Sequence, residues 1–299
     1  MNIHDIETFV AIAELGGFTR ASHRLHRTQP AISRRLGLLE RELGALMFER
    51  IRDNARLTEA GRAFQPYAEA ALAALKDGRE AVRALQGGLR GTISLALVGT
   101  LADTRVVGVL RRFARRAKDV RLELRTASSA EVTDLVRRGD AMLGLRYFTP
   151  ERPELMAHDA GSESMLVVAE PGHRLAGTRV RDARALAGER WIGFPPTRGE
   201  RDSSGHVLAR QLIRAGLHDA DVTLIDSLTA QKRLAQAGFG LALVPTSSVR
   251  DELRQGVLVA LDVPAMRTVI PITAIHRRNG YLSPAAATLL ALLTARPMR

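Results

Sequence analysis

Residues 19–44, TRASHRLHRTQPAISRRLGLLERELG, constrain this chain more than any other stretch. Their spacing predicts two short helices joined by a tight turn. Thr19 can N-cap the first helix, which carries Ala21 and Leu25 on one face. Thr28 can N-cap the second, and Pro30 falls in its first turn, where the missing N–H costs little. Ile32, Leu36, Leu39 and Leu43 follow at steps of four, three and four, the spacing of a buried helical stripe. The opposite edge shows Gln29, Ser33 and Arg34, with Arg35 beside them. Arg20, Arg24, Arg27, Arg34 and Arg35 stand in a run that contains no acid. This is the build of a helix-turn-helix whose second helix enters a DNA major groove, N-terminal residues first.

At these residues the chain resembles the N-terminal DNA-binding domain of LysR-type transcriptional regulators. The matching pattern is Phe9, Gly17-Phe18-Thr19-Arg20-Ala21, Leu25, Gln29-Pro30-Ala31-Ile32-Ser33-Arg34, Leu39-Glu40, Leu43-Gly44, Leu46, Phe48-Glu49-Arg50 and Leu57-Thr58-Glu59-Ala60-Gly61. So many fixed spacings are far more specific than a lone helix-turn-helix. Two positions depart from the pattern. Gly37 lies inside the second helix, where glycine costs roughly 1 kcal/mol against alanine; it could serve a close helix contact. Asp53-Asn54 replaces a basic wing tip, which argues against phosphate contact from the tip itself.

Charge agrees with a polyanionic partner but does not establish one. The formal net charge is +12. Of the 44 basic residues only three are lysines, a bias that a GC-rich coding sequence produces by itself. The motif therefore carries the DNA argument. Cysteine is absent, which removes disulfides, thiolate metal sites and thiol redox sensing together. No apolar run has membrane-spanning length, and Met1 leads straight into an amphipathic helix, so a cytoplasmic protein without membrane contact is expected.

In chain order, Ile6, Phe9, Val10 and Ala13 share one face of a first helix that Gly16-Gly17 stop. After residue 44, Ile51 and Leu57 flank an Asp53-Asn54 turn and make a two-stranded wing, with Arg50, Arg52 and Arg56 on or beside it. Any one of these arginines reads equally as a solvated charge; beside a helix-turn-helix, phosphate contact is favoured. Residues 59–87 read as one long helix, with Phe64, Tyr67, Ala71, Ala74, Gly78, Ala81 and Leu85 in a heptad seam. At 1.5 Å per residue such a helix spans on the order of 40 Å, too long for a sixty-residue domain to cover. The alternatives are a helix packed on its own domain and a dimerising linker. The resemblance implies the linker, in a homodimer or homotetramer. Gly87-Gly88 ends it.

From residue 91 the period changes. Strand and helix patterns alternate, which implies an α/β fold with parallel strands. Strands are expected at TISLALV, VRLELRT, AMLGLRY, SMLVVAE, WIGF, DVTLI, LALVP and VIPITAI, with a last helix at 284–295. The organisation expected is a winged helix-turn-helix over 1–58, a linker helix over 59–88 and an effector module over 89–299. In that module one subdomain comprises 89–162 plus 267–299 and the other 163–266. Two α/β halves joined by crossovers near 161–163 and 263–268 resemble the two-subdomain, type II periplasmic-binding-protein fold. LysR-type regulators carry that fold as their effector module.

In open α/β sheets ligands bind beyond the carboxyl ends of strands, near helix N-termini. Thr100, Ser128 and Arg146 follow or end three strands of the first half; Phe194 ends a strand and Ser203 opens a helix in the second. Hydroxyls, helix N-termini and an arginine favour a small carboxylate. Read singly, the hydroxyls serve equally well as ordinary N-caps and Arg146 as half of a surface ion pair. In the resembling family the cleft-lining hydroxyls stand at the positions of Thr100 and Ser128.

Other motifs fail on context. Gly238-Phe239-Gly240 precedes a strand and is a turn, not a nucleotide loop. His23 and His26 lie one helical turn apart but lack a third metal ligand. No nucleophile elbow is present, so neither a catalytic set nor a cofactor is expected. The reading is a DNA-binding regulator of double-stranded DNA controlled by a small-molecule effector. Gln29, Pro30, Ser33 and Arg34, with Thr28, would meet bases, and Arg20, Arg50 and Arg52 phosphates. A constitutive repressor without an effector, or a solute-binding or enzymatic module with accessory DNA binding, remain open alternatives.

Overall fold

The computed structural model describes residues 1–51, 54–85, 91–102, 105–196 and 204–295. Two compact units emerge: Met1–Gly87 with Arg137–Asp140 and Asn279–Tyr281, and the remainder of the chain.

In the first unit, helix α1 (Ile3–Leu15) starts from a capping box between Asn2 and Asp5. It ends at Gly16, whose left-handed φ of 64° suits a residue without Cβ. Helix α2 (Phe18–Arg24) starts from extended Gly17, without a side-chain cap. Thr19 therefore lies inside the helix, not at its cap, because glycine can open a helix through backbone geometry alone. The turn into α3 (Gln29–Leu43) passes through His26 at φ 51°, a left-handed conformation in which histidine is enriched. Thr28 is the N-cap residue of α3, but its side chain makes no capping bond. Ile32, Leu36 and Leu39 are buried; Leu43 is exposed, because the buried cluster takes Leu39 as its last residue from this helix. Phe9 sits at the centre, its ring 5.4 Å from Phe48 and 5.1 Å from Phe64.

Strands β1 (Phe48–Ile51) and β2 (Asn54–Leu57) pair antiparallel as the wing, which docks where Ala55 N–H donates to the Gly16 carbonyl at 2.9 Å. Helix α4 (Glu59–Ala84) follows, capped by Thr58 Oγ1, which accepts from Gly61 N–H at 3.0 Å. Ala60, Phe64, Ala68 and Leu72 pack into the first unit's core. On other sides of the same helix Tyr67 is 74% exposed, Val82 65% and Leu85 85%. The helix thus carries an inner stripe that its own unit covers and an outer one that is exposed among the described residues.

The second unit is built on one sheet. Its strands are β3 (Gly91–Val98), β4 (Val120–Ala127), β5 (Leu143–Tyr147), β6 (Leu155–Ala169), β7 (Trp191–Gly193), β8 (Val222–Leu224), β9 (Leu241–Pro245), β10 (Val259–Leu261) and β11 (Thr268–Arg277). Among the described residues the order is β4-β3-β5-β11-β6-β9-β7-β8, with β10 paired to β6. β4, β3 and β5 are parallel, as are β9, β7 and β8; β11 and β6 run antiparallel between the two groups. Two α/β halves therefore share a central antiparallel pair. Helices α5 (Arg105–Arg116), α6 (Ser129–Arg137) and α10 (Pro284–Thr294) belong to the first half, and α7 (Ser204–Arg214), α8 (Leu228–Gln236) and the short α9 (Arg250–Arg254) to the second. β6 is longer than the sequence pattern indicated, since of its residues 155–163 only Leu155 and Ala160 are buried and no continuous apolar run marks the strand.

Candidate DNA-facing edge and effector cleft

The reading edge of α3 is set by what the opposite face buries. With Ile32, Leu36 and Leu39 inward, Thr28, Gln29, Pro30 and Arg34 are exposed and Ser33 half-buried. Arg34 makes no hydrogen bond or ion pair with any described residue, so its guanidinium is free to meet a partner. Arg35 differs: it pairs with Asp5 at 3.2 Å and ties α3 to α1. Arg24 pairs with Glu14. Arg20 is exposed, yet it donates to the Leu15 carbonyl and to Asn54 Oδ1 at 3.3 Å, binding α2 to the wing. The Arg50 side chain and all of Arg52 lie outside the described residues. Gly37 gains nothing from lacking a side chain, because a Cβ there would meet no atom within 4 Å. The close helix contact expected of it is absent.

The second unit holds a cleft of about 650 Å³ lined by Val98, Gly99, Thr100, Thr126, Ser128, Ser129 and Glu131 of the first half. Phe194, Pro195, Gly205, Asp226 and Thr229 face them from the second. Thr100, Ser128 and Phe194 line this one cleft, and Ser203 lies outside the described residues. Ser128 caps α6: Glu131 N–H donates to its Oγ at 3.3 Å, and Ser128 N–H donates to the Glu131 carboxylate at 2.8 Å. Those bonds from Ser128 hold the Glu131 carboxyl below its ordinary pKa, so it is ionised at neutral pH. Ser129 Oγ is buried beside this cap without a hydrogen-bond partner among the described residues. Across the cleft, Ser227 caps α8 by accepting from Ala230 N–H. Gly205 lets α7 approach closely, since a Cβ would come within 2.1 Å of the Pro195 carbonyl oxygen.

Arg146 is a correction. It is 2% exposed, donating to Thr133 Oγ1 at 2.6 Å and to the Tyr147 carbonyl at 3.0 Å, and it does not line the cleft. The cause is the two-residue period of a strand: one residue further along β5 the side chain turns to the other face. There stands Tyr147, whose hydroxyl accepts from Thr100 Oγ1 at 2.9 Å. Burial raises the Tyr147 phenol, which stays neutral. Sequence reasoning passed over it because an arginine looked the more natural ligand group. It also passed over Glu131 and Asp226, the charged residues that do line the cleft. Their signal was present, one at N3 of a capping box and the other just before a helix cap.

Residues 3–62 match a family described as a bacterial regulatory helix-turn-helix protein of the lysR family, and residues 86–297 match the LysR substrate binding domain. The chain belongs to the LysR family of transcriptional regulators. It is 28% identical over 288 residues to the RuBisCO operon transcriptional regulator of Allochromatium vinosum, covering 96% of this chain and 93% of that protein. It is 31% identical over 302 residues to the regulator IlvR of Caulobacter vibrioides, covering 98% of each. Among solved structures, full-length CbnR complexed with its target DNA superposes with a TM-score of 0.64 at 25% identity, over 98% of this chain and 99% of that one. A full-length OxyR variant from Pseudomonas aeruginosa gives 0.72 at 20% identity, over 99% and 96%. The two relatives by sequence are named as transcriptional regulators, not enzymes. Residues 3–62 are accordingly the DNA-binding helix-turn-helix domain and residues 86–297 the effector-binding domain. No helix among the described residues is long and apolar enough to cross a membrane.

Proposed function

We propose that this regulator reads its operator through Thr28, Gln29, Pro30, Ser33 and Arg34, with Arg20, Arg50 and Arg52 at phosphates, and that a small carboxylate in the cleft controls the response. The observation that carries the DNA assignment is the free, exposed guanidinium of Arg34 opposite the buried Ile32–Leu36–Leu39 stripe. A bidentate arginine to guanine discriminates by roughly 1–3 kcal/mol. Pro30 offers apolar contact to a thymine methyl.

For the effector, the capped N-termini of α6 and α8 favour a carboxylate, and the unpartnered Ser129 hydroxyl supplies a buried bond. Glu131 and Asp226 face the same space and would meet a hydroxyl or ammonium group on that molecule. The ligand class is therefore a carboxylate bearing a second, donor-rich group, such as a hydroxy or amino acid. Binding draws the two α/β halves together and alters the spacing of DNA half-sites. The outer stripe of α4, from Tyr67 through Ala71, Ala74 and Gly78 to Leu85, is proposed to pair with a second copy in a homodimer or homotetramer.

Footprinting on the DNA beside its own gene, with and without a panel of hydroxy, amino and plain carboxylic acids, tests this reading. A ligand-dependent change in protection is expected. Protection that no acid alters would return the constitutive repressor; protection altered only by plain acids would remove Glu131 and Asp226 from the site.

A further inference from the structure

The central strands bring together two histidines that stand far apart in the chain. His158 on β6 lies opposite Ala274 of β11, and His276 follows two residues later on the same face. Their Nε2 atoms are 3.1 Å apart. The rings are nearly parallel, 13° between planes, with centroids 5.2 Å apart. That centroid distance is close to the nitrogen separation plus one ring radius at each end, so the imidazoles meet edge to edge through their Nε2 atoms. Both side chains are half-buried.

The hydrogen bonds fix which atoms are free. His276 Nδ1 lies 2.9 Å from the Arg277 carbonyl oxygen, which can only accept, so Nδ1 carries the proton. His276 Nε2 is then a lone pair aimed at His158, and His158 Nε2–H donates to it. A ring whose Nδ1–H is held by a backbone carbonyl has the second-shell arrangement of metal-ligating histidines.

We infer that His158 and His276 form a two-histidine site for a divalent first-row transition ion, bound through both Nε2 atoms with water in the remaining positions. Two nitrogens each about 2.0–2.1 Å from one ion are about 2.9–3.4 Å apart at angles between square-planar and tetrahedral, and the observed separation falls within that span. Binding requires that the His158 proton move from Nε2 to Nδ1 and that each ring turn by about 40°, so that two nitrogens now facing each other converge on one ion about 2.0–2.1 Å away. Among the described residues no group of three His, Cys, Asp or Glu side chains supports a closed site, so the site is open and the order of affinity follows ligand type. Imidazole places Cu²⁺ above Ni²⁺ and Zn²⁺. The positive charge of Arg277 opposes binding, and its side chain points to the other face of the strand. A bound ion would join β6 to β11, the pair on which both α/β halves are mounted.

The test titrates the full-length protein with Cu²⁺, followed by calorimetry and electron paramagnetic resonance. One site per chain with coupling to two imidazole nitrogens is expected. His158→Gln and His276→Gln should each weaken it at least about tenfold and leave coupling to a single nitrogen. His4→Gln and His26→Gln should leave it unchanged. A two-nitrogen signal that persists in His276→Gln, or disappears in His26→Gln, overturns the inference. Should either substitution prevent folding, nitrogen NMR of the unmodified protein decides. Zn²⁺ should shift Nε2 of both rings while His276 Nδ1 keeps its proton; unchanged imidazole resonances at saturating Zn²⁺ would leave only a histidine–histidine hydrogen bond.

Discussion

Replacing Gly37 by alanine isolates one local energy with few competing effects. Gly37 lies in the middle of α3, in helical conformation and half-buried, and an added Cβ would have no neighbour within 4 Å. No packing gain and no clash enter, so the change reduces to backbone entropy and helix propensity, about 1 kcal/mol in favour of alanine. Arg41 donates to the Gly37 carbonyl at 3.2 Å, and that bond does not depend on the side chain at 37. A gain of about 1 kcal/mol raises the melting midpoint of a domain this size by roughly 4–8 °C. It should also slow local opening, and so the hydrogen exchange of α3 amides, about fivefold. Circular dichroism melts and exchange on the full-length protein measure both. Operator affinity should stay within about twofold, because the proposed base contacts come from residues 28–34, in the first turns of α3. An unchanged or lowered midpoint would refute the reasoning about open space. A stability gain accompanied by lost affinity would instead show that DNA approaches where the Cβ was added.

Four other outcomes follow from the same geometry. Arg34→Ala should cost roughly 1–3 kcal/mol on the operator and relax its sequence preference; equal affinity for the operator in fluorescence anisotropy would mean that another edge reads the bases. Ala74→Glu would set like charges against each other in the proposed α4 seam, so light scattering should report a smaller species than for the unmodified protein; an unmodified protein that is already monomeric would dispose of the seam. Thr100→Ala removes the hydroxyl between Tyr147 and the cleft and should weaken the effector about tenfold or more, with ligand-free DNA binding intact; calorimetry showing equal affinity would move the site elsewhere. Arg146→Met should lower stability by about 2–4 kcal/mol, since Thr133 Oγ1 and the Tyr147 carbonyl lose a buried donor; a changed effector affinity without destabilisation would restore Arg146 to the cleft.

The helix-turn-helix was legible in the sequence because its determinants are local. A stripe at steps of three and four fixes which face of α3 is buried, and the polar edge is then whatever remains. The alternating α/β halves were legible for the same reason, since each strand and helix states its own period. The role of each stripe on α4 was not. Phe64 and Tyr67 belong to the same heptad pattern, yet one packs into the first unit and the other stands in solvent. Periodicity says that a face is apolar and is silent about what covers it. The placement of Arg146 went wrong for a different reason. Arg146 and Tyr147 are neighbours in sequence, both buried, and lie on opposite faces of β5, so a one-residue error in assigning the face exchanges an arginine bonded to Thr133 for a tyrosine bonded to the cleft residue Thr100. Composition could not correct it, because arginine is the commonest charged residue of this chain and occurs in every setting. The His158–His276 pair lay furthest beyond the sequence. Two residues on strands far apart in the chain meet only through the register of β6 on β11, and register is set by the packing of the whole sheet, not by any property of the histidines.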